Sequence, residues 1–175
     1  MARANTRKTL KPLVGVVMGS DSDLPVMRRC METLEAFGIA YEVRVISAHR
    51  TPDAAHEYAS TAAGRGLKVI IAAAGMSAAL SGILAAKTTL PVIGVPMAAG
   101  PLAGIDAALS TMQMPPGVPV GCMAIGSAGA TNSAVFAAEI LAVSDRDLAR
   151  KLKRLKADQA RDVARKDQAV QGRGS

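Results

Sequence analysis

The feature that most constrains the fold is the alternation of short apolar runs with longer segments of helical periodicity. Five apolar runs are expected to be strands, at residues 13–18, 41–46, 67–73, 91–96 and 120–125. The segments after them carry apolar residues at helical spacing. Strands that alternate with helices predict a doubly wound, flavodoxin- or Rossmann-like α/β fold with a five-stranded parallel sheet.

Two segments lie outside this alternation. Residues 1–11 are polar and basic, and are expected to form a disordered arm. Asp145 to about Ala169 is predicted to be a long, charged, amphipathic helix, which has no place in a five-stranded sandwich. We therefore expect an α/β domain over residues 12–143 and, over 144–175, a helix and tail that pack on a neighbouring subunit.

The chain is strongly basic, with a net charge of +7, but only 2% of its 175 residues are aromatic. Much of the charge lies at the two ends. Single-stranded nucleic acid is usually bound by aromatic stacking as well as by charge. We therefore interpret the basic ends as solvated segments and expect no nucleic-acid partner. The positive field also suits a phosphorylated substrate.

The cysteines and histidines form no pattern typical of a metal site. Cys30 and Cys122 are isolated, and the two histidines are scattered. We expect buried thiols in a reducing cytoplasm, with no bound metal. The sequence shows no secretory signal and no apolar stretch long enough to cross a membrane, so no membrane partner is predicted.

Ligands of such folds bind beyond the carboxyl ends of the strands. The loops expected there are 19–23, 47–52, 74–82, 97–102 and 126–132, and most of them are rich in Gly, Ala and Ser. In the first loop, Gly19 permits close approach of a ligand, while Ser20 and Ser22 offer hydroxyls. Asp21 or Asp23 is predicted to cap the helix that follows. The loop can hold an anion at this helix start, or it can be an ordinary capped helix start.

The second loop carries the two residues best suited to chemistry. His49 can take and give a proton near neutral pH. Arg50 can bind a phosphate or carboxylate through two parallel hydrogen bonds. A purely structural role for His49 is the alternative. His56 lies inside the next predicted helix and is interpreted as a surface or packing residue.

Several segments in register resemble the PurE family, which acts on an imidazole ribonucleotide in purine synthesis. The resemblance extends from about Val14 to Leu141. It is carried by Gly19-Ser20-Asp21-Ser22-Asp23, Ser47-Ala48-His49-Arg50-Thr51-Pro52, Leu90–Pro96, Gln113-Met114-Pro115 with Gly117–Val120, and Ala124-Ile125-Gly126 with Ala128-Gly129-Ala130.

The resemblance implies a three-layer sandwich in a homo-octamer with a swapped C-terminal helix, and the formation of 4-carboxy-5-aminoimidazole ribonucleotide without cofactor. In the mutase branch, N5-carboxyaminoimidazole ribonucleotide loses CO2, and the imidazole carbon then attacks that CO2. His49 would be the catalytic proton carrier, and Ser20, Asp23 and Arg50 would bind the ribonucleotide. The remaining predicted substrate-binding residues are Gly19, Ser22, Ser47, Gly75, Ser77, Ala79 and Leu80.

One loop departs from the mutase pattern. Mutases of the family usually carry Ala-Ala-His-Leu-Pro-Gly where this chain has Ser77-Ala78-Ala79-Leu80-Ser81-Gly82. That loop is more similar to the branch that carboxylates aminoimidazole ribonucleotide with free CO2, whereas Arg50 and Gly94-Val95-Pro96 follow the mutase branch. The carboxylase is therefore the alternative activity. An inactive nucleotide-binding module is an alternative of another class.

Overall fold

The structure, a computed structural model, describes residues 11–172. Residues up to Ala137 form one compact unit, and those from Ala138 form a second. The five strands are β1 (Val14–Met18), β2 (Tyr41–Val45), β3 (Val69–Gly75), β4 (Val92–Met97) and β5 (Gly121–Cys122). The six α-helices are α1 (Leu24–Phe37), α2 (Pro52–Arg65), α3 (Leu80–Ala85), α4 (Ile105–Met112), α5 (Ser127–Ala142) and α6 (Arg146–Gln171).

All five strands pair in parallel, in the order β2-β1-β3-β4-β5, which confirms the predicted fold class. From β1 the chain continues to β2 at one edge of the sheet. It then crosses back to β3, which pairs with β1 on the side away from β2. Met18, the last residue of β1, lies opposite Val45 of β2 and Ala73 of β3. Strands β1 and β2 therefore end level with each other, and β3 continues two residues further. The strand order reverses at these ends, which is where open sheets bind ligands.

The core is aliphatic and is built largely from small side chains. Strand β1 and residues 69–73 of β3 are buried. On one side of the sheet, Val17 and Ile70 belong to a cluster with Ala55, Ala59 and Ala62 of α2. Alanines at three- and four-residue spacing give α2 a smooth face, which allows it to lie close to the sheet. Branched residues in the strands and alanine in the helices thus form a core without tryptophan.

The fifth strand is shorter than the predicted 120–125. Only Gly121 and Cys122 pair regularly with β4, opposite Ile93 and Gly94. Beyond them, Met123 N–H donates to the Gly94 oxygen and Gly126 N–H to the Pro96 oxygen. Pro96 has no N–H to donate toward this edge, so the regular ladder stops there.

The predicted loop 126–132 is wrong, because α5 begins at Ser127. The sequence Ser-Ala-Gly-Ala-Thr-Asn has the composition of a loop. Tertiary packing overrides that preference: a Cβ at Gly129 would overlap the backbone oxygen of Ala124, so only glycine lets the first turn of α5 lie against this segment.

In the second unit, α6 begins where it was predicted to. The Asp145 carboxylate accepts hydrogen bonds from the N–H groups of Asp147 and Leu148, at 2.9 and 3.0 Å. Leu148 and Leu152 are buried, whereas Val163 and Val170 further along are exposed. The expected arm at 1–11 lies almost wholly outside the described residues. Over residues 11–172, no helix combines the length and the apolar character needed to cross a membrane.

Candidate active site at the carboxyl edge of the sheet

A cavity of about 370 Å³ lies beyond the carboxyl ends of β1, β2 and β3. The structure brings all eleven predicted site residues together on its wall. They are Gly19, Ser20, Ser22, Asp23, Ser47, His49, Arg50, Gly75, Ser77, Ala79 and Leu80. Four further residues line the cavity, namely Ala48, Ala74, Met76 and Ala99.

The loop after β1 presents its two serine hydroxyls at the cavity. Gly19 N–H donates to the Ala73 oxygen at 3.0 Å, which extends the pairing of β1 with β3 by one residue. Ser20 then begins a short 3₁₀ turn, Asp21–Asp23, and its Oγ accepts hydrogen bonds from the N–H and Oγ of Ser22. Ser20 therefore caps the 3₁₀ turn. Asp23 occupies the N-cap position of α1, as predicted for Asp21 or Asp23, but the expected side-chain cap bond is absent because its carboxyl makes none with the first turn of α1.

Asp23 is the buried carboxyl of the site, with 9% of its surface exposed. Burial raises the pKa of this carboxyl above its usual value. A backbone hydrogen bond at Ser20 opposes the rise, and the nearby charge of Asp21 adds to it. Burying a carboxyl on a cavity wall lowers the stability of the apoprotein. Buried ionisable groups of this kind are typical of ligand-binding and active sites.

The side chain of Arg50, in the loop after β2, is hydrogen-bonded both to its own loop and to the loop after β1. Ser47 Oγ accepts hydrogen bonds from Arg50 N–H and Arg50 Nε, each at 3.2 Å. Arg50 Nη2 donates to the Gly19 backbone oxygen at 3.4 Å. These bonds fix the guanidinium beside the serine hydroxyls, where it can bind an anion.

His49 lies on the same turn, is exposed, and lines the cavity. Its position gives the cavity an imidazole next to the arginine. His56, by contrast, is exposed on α2 and is not among the lining residues. The structure thus separates the two histidines in the way that the sequence indicated.

The apolar wall of the cavity comes from the end of β3 and from the loops after β3 and β4. It comprises Ala74, Gly75, Met76, Ala79, Leu80 and Ala99. A Cβ at Gly75 would lie 2.8 Å from Ala99 Cβ, so the two loops are in close contact there. Met76 adopts a left-handed backbone conformation with φ of 54°, which is uncommon for a residue other than glycine.

The prediction that all five strand-end loops gather at the site is wrong for the fifth loop. Residues 126–132 do not line the cavity, because β5 is the far edge strand and α5 has already begun. The loop after β4 contributes only Ala99. Ala48, Ala74, Met76 and Ala99 were missed as site residues because short apolar side chains carry no chemical signal. Ala48, Ala74 and Met76 could have been found as direct sequence neighbours of the predicted site residues His49 and Gly75.

The arrangement joins an anion-binding corner to a proton carrier and an apolar wall. Arg50 and the serine hydroxyls can hold a phosphate, His49 can move a proton, and the aliphatic residues can enclose a small uncharged molecule. Over residues 11–172, no group of three or more His, Cys, Asp or Glu side chains is placed to hold a metal ion.

Comparison with known sequences places this α/β fold and its cavity in a defined class of protein. The profile of the family described as AIR carboxylase matches residues 13–162. The chain therefore belongs to the AIR carboxylase family.

Several relatives share about half of their residues with the chain. A Bacillus subtilis protein named N5-carboxyaminoimidazole ribonucleotide mutase is 55% identical over 143 residues, which are 82% of this chain and 88% of that protein. The mutase of that name from Pyrococcus horikoshii is 49% identical over 95% of this chain and 93% of its own length. Among solved structures, Treponema denticola PurE superposes with a TM-score of 0.80 at 30% identity, covering 90% of this chain and 97% of that one.

Proposed function

We propose that the chain is an isomerase of purine biosynthesis that converts N5-carboxyaminoimidazole ribonucleotide into 4-carboxy-5-aminoimidazole ribonucleotide. The observation that carries the proposal is the identity of about one half, over nearly the whole length, to proteins named as this mutase. The cavity supports the proposal because its lining suits each part of the reaction. Arg50 and the serines suit the anionic ribonucleotide, His49 suits the proton transfer, and the apolar wall suits CO2.

The substrate phosphate would bind at the corner formed by Arg50 and the loop 19–23. The guanidinium can supply charge-assisted hydrogen bonds, and Ser20 and Ser22 can supply hydroxyls. Asp23 accepts hydrogen bonds when ionised, so it would bind a donor group of the substrate, such as a ribose hydroxyl. These contacts would fix the imidazole relative to His49.

The chemistry would need one proton carrier. The N5–carboxylate bond breaks, releasing CO2 and leaving its electron pair on the nitrogen, which takes up a proton from the protonated imidazole of His49. The ring carbon then attacks CO2, and the new carbon–carbon bond leaves that carbon with a surplus proton. His49 would remove that proton and so restore the aromatic ring. One imidazole suffices because a proton is taken up in one half of the reaction and released in the other.

The released CO2 would be held against the apolar wall. Met76, Ala79, Leu80 and Ala99 offer no charged group to CO2, and Gly75 and Ala99 lie so close together that no side chain fits between them. A short-lived uncharged intermediate is kept from solvent by a wall of this type.

The carboxylase reaction with free CO2 is the second candidate function. The observation that favours it is the loop after β3, where Ala79 lines the cavity at the position at which mutases of the family usually carry histidine. The near-half identity to named mutases favours the first function.

We also propose that the enzyme is a homo-octamer in which α6 packs on a neighbouring subunit. Helix α4 supports an oligomer, because Ile105, Leu109 and Met112 form one apolar stripe and are 60%, 49% and 55% exposed. The exposed Val163 and Val170 of α6 support it as well. Light scattering on the purified protein would give the number of subunits.

We propose a cytoplasmic location because the proposed reaction belongs to purine biosynthesis.

A paired assay tests the activity. One arm supplies N5-carboxyaminoimidazole ribonucleotide with bicarbonate kept low, and the other supplies aminoimidazole ribonucleotide with high CO2. We expect fast turnover in the first arm only. Fast turnover in the second arm only would replace the mutase by the carboxylase, and turnover in neither arm would leave a nucleotide-binding module.

A further inference from the structure

Thr51 closes the turn that carries His49 and Arg50. Its Oγ1 accepts a hydrogen bond from Ser47 N–H at 3.1 Å and donates one to the Ser47 backbone oxygen at 2.9 Å. Thr51 N–H also donates to that oxygen, at 2.8 Å. Three hydrogen bonds therefore join the first and last residues of a five-residue turn.

The Thr51 side chain does not serve the helix that follows it. Thr51 is the N-terminal flanking residue of α2, a position where a threonine hydroxyl usually accepts a bond from an N–H of the first helical turn. Here its side chain makes no such cap bond. The hydroxyl is directed back to Ser47 instead, which strengthens the turn rather than the helix.

The bonds continue from Ser47 to the site. Ser47 Oγ accepts both the N–H and the Nε of Arg50, and Arg50 Nη2 reaches the Gly19 oxygen. Thr51 is not among the residues that line the cavity. It is thus connected to the guanidinium through Ser47 without facing the ligand.

We propose that the Thr51 hydroxyl is a positioning group that sets both the phosphate-binding geometry of Arg50 and the placement of His49. This inference rests on the proposed function for its reaction. It extends that function because Thr51 acts through its neighbours rather than on the substrate. Loss of the hydroxyl frees the backbone of the turn, so binding and proton transfer both weaken.

The test compares Thr51→Val, which keeps the shape and removes the hydroxyl, with Thr51→Ser, which keeps the hydroxyl. For Thr51→Val we expect kcat/KM for N5-carboxyaminoimidazole ribonucleotide to fall by about 10- to 100-fold, with KM raised and kcat lowered. Thr51→Ser should stay within about threefold of the parent enzyme. Thr33→Val is the matched control, because Thr33 Oγ1 donates to the Arg29 oxygen at 2.7 Å in α1. It removes one hydroxyl bond to backbone outside the cavity wall and should leave both constants unchanged.

A merely structural role predicts a different result. Partial unfolding lowers kcat by reducing the active fraction but leaves KM unchanged. Thr51→Val with the parent KM, or Thr51→Ser as impaired as Thr51→Val, would overturn the proposal. In the Arg50→Ala background, Thr51→Val should raise KM no further, because the guanidinium through which it acts is gone. A further rise in KM there would also count against it.

Binding separates this proposal from the proposed function. Calorimetric titration with aminoimidazole ribonucleotide needs no turnover, and Thr51→Val should weaken binding by about tenfold. If the parent protein binds this ribonucleotide but shows no mutase turnover, the proposed function fails while weakened binding still supports Thr51. Equal binding by the parent and Thr51→Val would refute the role of Thr51 in placing Arg50, whatever the activity of the parent enzyme.

Discussion

Arg50 Nη2 donates a hydrogen bond to the backbone oxygen of Gly19 at 3.4 Å and so joins the loops after β2 and β1. The two strands pair in parallel with Met18 opposite Val45, so their loops leave the sheet side by side. The bond places a permanent positive charge next to the serine hydroxyls of the first loop. Residues 31 positions apart in the sequence therefore form one corner of the cavity.

Arg50→Ala should raise the KM for the ribonucleotide by about 10- to 100-fold and change kcat much less, because it would remove the charge-assisted hydrogen bonds that we propose for the substrate phosphate. Steady-state kinetics measure both constants. Arg44→Ala is the matched control, since Arg44 is exposed on β2 and does not line the cavity. An unchanged KM in Arg50→Ala would show that Arg50 does not hold the phosphate.

His49→Asn should lower kcat by about 10²- to 10⁴-fold while the affinity for aminoimidazole ribonucleotide stays the same. Asparagine keeps a polar side chain of similar reach but cannot take up a proton. Turnover and calorimetric binding are measured on the same preparation. His56→Asn should behave like the parent enzyme, because His56 lies on α2 away from the cavity wall. An active His49→Asn enzyme would exclude His49 as the proton carrier.

Much of the fold was predictable because local signals and tertiary structure agree along most of the chain. β-Branched runs marked β1 and β4, and Gly38 ended α1 in the left-handed conformation expected of a C-terminal glycine. The start of α5 could not be predicted, since the contact between Gly129 and the Ala124 backbone decides it. A contact of this type becomes visible only once both segments have been placed.

The candidate site was predictable to the extent that its residues carry recognisable chemistry. His49, Arg50 and the serines were found because strand-end loops meet at one edge of a parallel sheet. The positioning role that we propose for Thr51 was not predicted, because it depends on two side-chain hydrogen bonds to Ser47 that no sequence pattern indicates. The apolar residue Ala99 was missed for a related reason: only the approach of two loops makes it part of a wall.

Asp23→Asn should stabilise the apoprotein at neutral pH and weaken substrate binding. The folded-state pKa of Asp23 is raised above 3.8, so the folded protein binds this proton more tightly than the unfolded chain does. Its contribution to stability is fully present below about pH 3.8 and is lost as the pH rises through the folded-state pKa. The asparagine variant, which stays neutral, should therefore exceed the parent in free energy of unfolding near pH 7, by a margin that shrinks as the pH is lowered.

Urea unfolding at a series of pH values measures that difference, with Glu57→Gln as the control because Glu57 is an exposed carboxylate on α2. We also expect Asp23→Asn to raise the substrate KM, since an ionised acceptor is lost from the cavity wall. A variant less stable than the parent near pH 7 would mean that hydrogen bonds to Asp23 outweigh the cost of its burial.

Gly75→Ala should destabilise the fold and open the apolar wall, whereas Gly64→Ala should stabilise the fold. A Cβ at Gly75 would lie 2.8 Å from Ala99 Cβ, so the loop after β4 must move away, at a cost of about 1–3 kcal/mol. Gly64 lies within α2 with nothing within 4 Å of an added Cβ, so alanine should add about 0.5–1 kcal/mol through helix propensity. Thermal unfolding of the two variants should therefore shift in opposite directions.

If the contact between Gly75 and Ala99 retains CO2, Gly75→Ala should also release more aminoimidazole ribonucleotide per turnover, which chromatography of the products measures. Equal release from Gly75→Ala and the parent enzyme would mean that CO2 is held elsewhere in the cavity.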